Sequence, residues 1–430
     1  VSDAATEAEP EQSSSQWRWL RSIGPGLVTA CVVIGPGSIM TSSKVGSSEG
    51  YANIWVVIVS VYFMMIYTTL AVKFGVVTQR SAADVVSEHA GRWLAVLVGI
   101  SVFFIAAAYQ FGNNLGVHAA LEIYVPFKYW IVVFNALAMA FLFGFKDLYK
   151  WLERLMSVFV SLMLIAFAIN LFFARPDVSA IAAGLNPLPR LESGGMSLEL
   201  MGLVGTTFVI AAAYYQSYLA RFKGWQVKDI PNALIDARVS AIIMALITLM
   251  LMSTAAAVLQ GEYALTDKSN LGDVAEALKP LFGETGRAIF CVGVFSAAFS
   301  SFIVNSMIGG FLLSDALGLG STPEDRSTRI FTASVLLIGM GVALYMIVGN
   351  VGSPVQLIVA AQVATVVAAP LIAVVLLWLT NNKKIMGEHV NGIGLNMSAV
   401  LGLVLLAGIS ANTVINKVLP RVTEMMSGGG

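Results

Sequence analysis

The sequence predicts an all-α polytopic membrane protein, and three observations carry that expectation. Hydrophobic residues make up 57% of the chain and charged residues only 12%, against about 25% charged in soluble domains. Mean hydropathy is +0.80, too apolar for a surface that faces water throughout. Apolar runs long enough to cross a bilayer, about 20 residues each, recur from one end to the other. The length of 430 residues would by itself suggest roughly two or three soluble domains, but the recurring apolar runs override it.

On that ruler the chain holds about eleven spans. Their expected limits are 23–48, 51–78, 93–121, 128–146, 151–174, 198–222, 236–260, 286–316, 328–348, 354–380 and 394–418. The longer links, 175–197 and 261–285, read as extramembrane. Residues 1–22 are polar, with Ser13, Ser14 and Ser15 after an acidic stretch. They lack the basic, apolar, small-residue order of a signal peptide and are expected to form a disordered cytoplasmic tail. Residues 421–430 are expected to form a second tail, and 23–420 a single transmembrane domain.

Cations set the orientation, because cytoplasmic links collect Lys and Arg. With the N-terminus inside, the inner links hold Arg18, Arg21, Lys73, Arg80, Arg92, Lys146, Lys150 and Arg154. They also hold Arg221, Lys223, Lys228, Arg238, Arg326, Arg329, Lys383 and Lys384. Eleven spans then leave the C-terminus outside. The expected location is the plasma membrane, with the lipid bilayer as the main partner and no obligate protein partner evident.

Several classes are disfavoured. The formal net charge is zero, which gives no bulk attraction to nucleic acid. Cys31 and Cys291 lie in apolar runs without metal-ligand or disulfide spacing and read as buried, inert thiols. No nucleophile–base constellation or phosphate loop points to an enzyme, and no cofactor is implied beyond a transported ion.

The first span carries the main functional signal. It reads Gly24-Pro25-Gly26, an apolar stretch, then Gly35-Pro36-Gly37-Ser38. Pro36 cannot donate its N–H and clashes with the preceding turn, and the flanking glycines weaken the helix further. The chain should unwind near 35–37. Carbonyls of one half-helix and N–H groups of the other are then left without partners. At membrane depth that is tolerated only where they are buried in protein or line a wet cavity, the arrangement by which transporters hold substrate at the midplane. Ser38, Thr41, Ser42 and Ser43 follow at once. The plainer reading is a proline kink whose hydroxyls bond back to the helix.

The stretch GPGLVTACVVIGPGSIMTSSKVGSSEGYANIW resembles the first span of the natural-resistance-associated macrophage protein (Nramp) family of divalent-metal transporters, roughly GPAF…DPGNWATD…AGSQFGYSLLW. AAQVATVVAAPLIAVVLLWLTNNKKIMG, from Ala360, is similar to the family's tenth span and the Asn-Asp-Arg-Arg-Leu-Met-Gly turn after it. Arg329-Ile330-Phe331-Thr332 resembles the basic approach to the ninth span. The resemblance covers all eleven spans. It implies the fold of the amino-acid/sodium symporters, an inverted repeat of five plus five spans over about 23–174 and 198–380, with spans 1 and 6 broken.

The resemblance also implies a site, and the departures from it are informative. The family holds its metal with Asp and Asn of Asp-Pro-Gly-Asn and with Met of Met-Pro-His in span 6. Here Gly35 stands at the Asp and Ser38 at the Asn. In span 6, Val209 falls at the Met and Ala211 at the His. Thr206 would donate the span 6 carbonyl, and Gln362 matches a family Gln on span 10. The implied ion ligands are the carbonyls of Gly35 and Thr206 with Ser38 and Gln362; Thr207 and Val209 complete the site. Losing the thioether removes the soft ligand that favours transition metals. Losing the carboxylate leaves a bare divalent ion without counter-charge. Mg²⁺ holds its water tightly and is often bound through it. The resemblance is therefore closest to the Nramp-related magnesium transporter branch, which implies hydrated Mg²⁺, then Mn²⁺, moved by alternating access.

Proton coupling is not expected. The family's acid pair on span 3 is matched by Gln110 and Asn113, and its span 6 His by Ala211. A relay needs groups that change charge. Thr41, Gln216 and Asn305 are further polar candidates for the pathway. His118 and Glu122, one helical turn apart, can share a face and read as an interfacial pair. Lys44 reads as a snorkelling side chain.

Two rivals stay open. A helix N-terminus rich in Gly and Ser is an anion site, so a small anion or carboxylate could use the same break, with Lys44 adding charge. A non-transporting membrane sensor or scaffold is the other, although no sizeable soluble domain supports it.

Overall fold

The computed structural model describes residues 24–145, 147–188, 197–261, 265, 269, 271–349 and 354–418, with backbone alone at 198, 280–282, 354–364, 366–367 and 417–418. The tails expected at 1–22 and 421–430 lie outside these residues. Among the described residues every regular element is helical.

The first span is two helices, α1 (Pro25–Val33) and α2 (Pro36–Glu49), bent by 54°. Each begins with proline in its first turn, where the missing N–H costs nothing because that amide has no intrahelical partner. Then follow α3 (Ile54–Thr78), α4 (Ala82–Ala90), α5 (Arg92–Glu122), α6 (Trp130–Gly144), α7 (Leu148–Ala174) and α8 (Val178–Ala183). The sixth span is again two helices, α9 (Leu198–Thr207) and α10 (Ile210–Phe222). The rest comprises α11 (Ile230–Leu259), α12 (Leu271–Ala316), α13 (Arg326–Gly349), α14 (Pro354–Asn381), α15 (Lys383–Met386) and α16 (Ile393–Thr413).

Seven of these helices are long and apolar enough to cross a membrane, or eight with the bent α1–α2 pair. The other three expected spans are the 15-residue α6, the α9–α10 pair, and α14, whose 368–381 stretch is apolar. The expected limits fall within a few residues of the helices. Two links hold more structure than expected. The first contains α8. The second contains the start of α12, which breaks at Gly283 (φ 66°, ψ −170°), a backbone shape that essentially only glycine adopts.

Five spans precede the second broken one. Five is odd, so the two sets of five run in opposite directions through the membrane, which is an inverted repeat. Accordingly α1 packs on α10 at one side of the break and α2 on α9 at the other. Phe172 is 77% exposed and Ile393 82%; such apolar faces on outward helices require lipid.

Contacts on both sides of the breaks hold the half-helices. The carboxylate of Asp236 in α11 accepts from the N–H groups of Gly24 (2.9 Å) and Gly26 (2.8 Å), where a helix N-terminus favours negative charge. Tyr214, Tyr215, Tyr218 and Phe222 of α10 cluster around Phe311 of α12, with Tyr218 and Phe311 centroids 4.9 Å apart. Asp315 accepts from Tyr218 (2.7 Å) and from Ser81 (2.7 and 2.8 Å), the N-cap of α4. The α1–α10 side is thus closed by aromatic packing and fully bonded carboxylates. On the α2 side, a Cβ on Gly116 would lie 2.3 Å from Pro36 Cγ, so only glycine lets α5 lie this close to the break.

Candidate functional site

At each break the upstream half-helix ends in carbonyls that have no amide to serve them. In the first, the N–H of Ile34 bonds back to Ala30 at 2.9 Å and the ladder stops. Ser38 donates its hydroxyl to the carbonyl of Val33, and Ser301 of α12 reaches the carbonyl of Val32 at 3.4 Å. In the second, the N–H of Phe208 bonds to Val204 at 2.8 Å and the helix ends at Thr207. The Gly205 carbonyl is approached by the hydroxyls of Tyr109 (3.3 Å) and Thr365 (3.5 Å).

Between the two breaks lies a cavity of about 20 Å³, space for one or two water molecules. Its walls are Val32, Val33, Gly35, Gly37 and Ser38 of the first break, Thr206 and Val209 of the second, 108–109 and 111–113 of α5, and Ser301. Among the described residues this lining holds no carboxylate, imidazole, thiol or thioether. Nor do the described residues bring three or more His, Cys, Asp or Glu together as a metal cluster elsewhere. What faces the cavity is neutral oxygen, backbone amide and apolar surface.

The sequence-expected residues divide into three groups. Gly35, Ser38, Thr206, Val209 and Asn113 line this one cavity. The Gly35 carbonyl accepts from the N–H of Ile39 at 3.1 Å and so forms the first rung of α2, with only its second lone pair left for a ligand. Thr206 commits its hydroxyl to Leu203 O at 3.1 Å, which leaves its carbonyl as the ligand group.

Gln110 and Asn305 stand immediately behind the wall. Gln110 donates to Phe302 O (3.2 Å), and its Oε1 accepts from Asn113 (3.3 Å) and Asn305 (3.2 Å). Amides therefore form a closed network where the family pattern has acids.

Thr207, Ala211 and Thr41 are buried but do not line the cavity. Thr207 and Ala211 adjoin the second break without reaching the walls, and Thr41 lies on the same face of α2 as Ser38 but one turn beyond the cavity. Gln216 lies against Thr29, two turns into α10, where it packs α1 on α10 and does not line the cavity. The Gln362 side chain lies outside the described residues. Lys44 also departs from expectation: its ammonium is 3.1 Å from Glu199, so it ties α2 to α9 rather than simply snorkelling. His118 and Glu122 form the expected pair at 2.9 Å, and both cysteines are buried and free.

Sequence reasoning missed Ser301, Tyr109 and Thr365. Their signal is faint, because each is one polar residue among several on its span, as Ser301 is beside Ser296, Ser300 and Ser306. Only the spatial meeting of α5, α12 and α14 with the breaks distinguishes them from helix-satisfied hydroxyls.

Comparison with known proteins agrees with this architecture. Residues 26–416 match the family model described as natural resistance-associated macrophage protein-like. A divalent metal cation transporter MntH of Chromohalobacter salexigens is 26% identical over 407 residues, covering 91% of each chain. One from Staphylococcus aureus strain Mu3 is 23% identical over 420 residues, 94% of this chain and 93% of its own. Among solved structures, a manganese transporter of Eremococcus coleocola superposes with a TM-score of 0.81 at 19% identity, covering 96% of this chain and 90% of that one. MhsT in complex with L-phenylalanine superposes with a TM-score of 0.59 at 14% identity, covering 94% of this chain and all of that one. With a family match spanning nearly the whole membrane domain, and both first spans of an inverted repeat broken, the chain belongs to the Nramp family.

Proposed function

We propose that this protein transports divalent metal cations across the cell membrane by alternating access through the cavity between its two broken spans. The observation that carries this reading is the direction of the Ser38 hydroxyl. Its proton goes to the Val33 carbonyl, so the oxygen has only lone pairs to offer the cavity. Ser301 likewise directs its proton to a backbone carbonyl, and Thr206, its hydroxyl turned to Leu203, offers its own carbonyl. Oxygens whose protons are already committed receive a cation well and an anion poorly. The curated relatives from Chromohalobacter and Staphylococcus are divalent metal cation transporters by name, which supports the same class.

The finer reading is Mg²⁺ carried with part of its water shell, with Mn²⁺ as a secondary substrate. Hard neutral oxygens without thioether or carboxylate suit an ion that keeps its own water. The cavity of about 20 Å³ has room for little more than a partly hydrated ion, so a full shell enters only as the cavity widens. Ser38, the Thr206 carbonyl, Gly35 and Gln362 are the proposed ligand set. The network of Gln110, Asn113 and Asn305 offers no group to carry a proton, so transport runs uncoupled, down the ion gradient and membrane potential. The N-terminus is cytoplasmic and the C-terminus outside.

One observation favours the anion alternative: the N–H groups of Gly37 and Ser38 open a half-helix at the cavity, the geometry that binds anions. Uptake into proteoliposomes separates the two. An entrapped metal indicator should report Mg²⁺ and Mn²⁺ entry, while an entrapped pH dye stays level. Flux indifferent to metal but competed by organic acids would replace this reading with the anion one.

A further inference from the structure

We infer that Asn113 is a cation-facing ligand of the transport site, and that Gln110 is the positioning residue that holds the Asn113 amide oxygen toward the ion. This inference rests on the cation-transport reading above and adds one side chain to its ligand set.

Gln110 and Asn113 stand three residues apart on α5 and so share a helix face. Asn113 lines the cavity, whereas Gln110 is fully buried behind it. Two backbone carbonyls fix which way these amides point. A carbonyl can only accept. Phe302 O therefore takes the NH₂ group of Gln110 at 3.2 Å, and Ala106 O takes that of Asn305 at 2.8 Å. The Oε1 of Gln110 is left facing the other two amides, and it accepts from Asn305 at 3.2 Å and from Asn113 at 3.3 Å. Reversing Asn113 would set two carbonyl oxygens against each other. With its NH₂ group committed to Gln110, Asn113 has its Oδ1 turned to the opposite side.

That side is the first break. A Cβ on Gly35 would stand 3.3 Å from Asn113 Oδ1 and 2.9 Å from Ser301 Oγ. All three residues line the cavity, so the space that a side chain at position 35 would fill is flanked by two oxygens. An amide oxygen accepts only and carries the negative end of its dipole. Aimed into a cavity whose described lining bears no formal charge, it attracts a divalent cation, or the polarised hydrogens of the water that cation holds. The same dipole repels an anion. Asn113 thus brings from α5 an oxygen on the side of the cavity that the broken spans leave open, and it favours a cation over an anion there. Gln110 does not reach the ion. Its part is to keep the Asn113 amide from turning its NH₂ group to the cavity, which would invert the sign of the group that the ion meets.

The test uses the full chain in proteoliposomes, with Mg²⁺ uptake measured for wild type, Asn113→Leu, Asn113→Asp, Gln110→Leu and the double variant with Leu at both positions. A bond between a polar group and a charged partner is worth enough to move KM about tenfold. Asn113→Leu, close in size but without the oxygen, should raise KM for Mg²⁺ by about that factor. Gln110→Leu, which only frees the amide to turn, should raise it by about threefold. The double variant should be no worse than Asn113→Leu, because Gln110 acts through Asn113 alone. Asn113→Asp keeps an oxygen on the cavity and should leave KM at or below the wild-type value. Wild-type KM in Asn113→Leu overturns the inference, as does a tenfold rise in Asn113→Asp or an additive rise in the double variant. A purely structural role would lower the maximal rate and the melting temperature without this pattern in KM, and that result overturns it too. Thermal unfolding identifies misfolded protein, and Asn113→Ala and Gln110→Met replace either Leu variant that does not fold. Normal Mg²⁺ uptake by the wild type with an unchanged Asn113→Leu removes this inference alone; a wild type that moves no metal removes the transport reading and this one with it.

Discussion

The hydroxyl of Ser38 bonds back across the first break to the carbonyl of Val33, so the residue that follows Gly35-Pro36-Gly37 closes part of the gap they open. Ser38→Ala should remove both this cap and one cavity oxygen. A buried carbonyl left without its donor costs about 1–3 kcal/mol, and tenfold in binding corresponds to about 1.4 kcal/mol. Uptake KM for Mg²⁺ is expected to rise tenfold or more, with a lower melting temperature. Ser38→Thr, which keeps the hydroxyl, should recover most of both. Wild-type KM in Ser38→Ala would remove Ser38 from the site.

Restoring the family's carboxylate at position 35 is expected to fail on its own. A Cβ there would stand 2.9 Å from Ser301 Oγ and 3.3 Å from Asn113 Oδ1, and a carboxylate would face that amide oxygen. Gly35→Asp alone should lose folded yield or transport. Gly35→Asp with Ser301→Gly relieves the contact. Adding Val209→Met returns the soft ligand, which favours transition metals. The triple variant should shift preference from Mg²⁺ toward Mn²⁺ in competition uptake. Equal competition by the two ions before and after would show that these positions do not set selectivity.

The architecture was legible because lipid allows few solutions. Apolar runs of bilayer length and a Gly-Pro-Gly interruption have physical meanings that hold without tertiary context. The first break and its Ser38 could therefore be located from the chain alone. The second was harder. The stretch 205–212 has no proline, and its break at Phe208 and Val209 appears only by resemblance to the family. Side-chain direction was less legible still. Gln216 and Thr207 are polar residues near the right place, but neither lines the cavity. Lys44 found Glu199 because α2 and α9 pack together, which no local pattern encodes.

The cavity lining predicts a flat pH response. Its described residues hold no carboxylate, imidazole or amine, and the one ionisable side chain, the phenol of Tyr109, stays neutral across the physiological range. Mg²⁺ uptake should therefore change less than about twofold between pH 6 and 8, with no proton entry. A steep rise or fall across that window, together with acidification of the vesicle interior, would place a titrating group on the transport path.

Asp236 accepts from both Gly24 and Gly26 at the start of α1, and a Cβ on Gly26 would lie 2.8 Å from the Asp236 carbonyl oxygen. Helix α1 is thus held to α11 by a tight bonded contact at its first turn. Asp236→Ala leaves two N–H groups unserved and should lower stability by a few kcal/mol, at about 1–3 kcal/mol for each buried group. Asp236→Asn retains one acceptor and should lose about half as much. Chemical or thermal unfolding in detergent measures both, and equal stability of Asp236→Ala and wild type would refute the anchoring role.

The Lys44–Glu199 pair makes a distinct prediction, because it joins the half-helices α2 and α9 to each other rather than either one to the scaffold. At 3.1 Å, with side chains 13% and 26% exposed, it is neither a free surface pair nor a fully buried one. Partly exposed pairs typically contribute about 0.2–1 kcal/mol, and a double-mutant cycle isolates that coupling from the packing each side chain provides. Lys44→Gln, Glu199→Gln and the double variant should show positive coupling in unfolding free energy, reduced by added salt because exposed charges are screened. If the pair also keeps α2 and α9 moving together, either single variant should lower the maximal uptake rate while leaving KM near wild type. Zero coupling would return Lys44 to a snorkelling side chain. Coupling in stability without any change in rate would leave the pair as a staple between helices that do not move against each other.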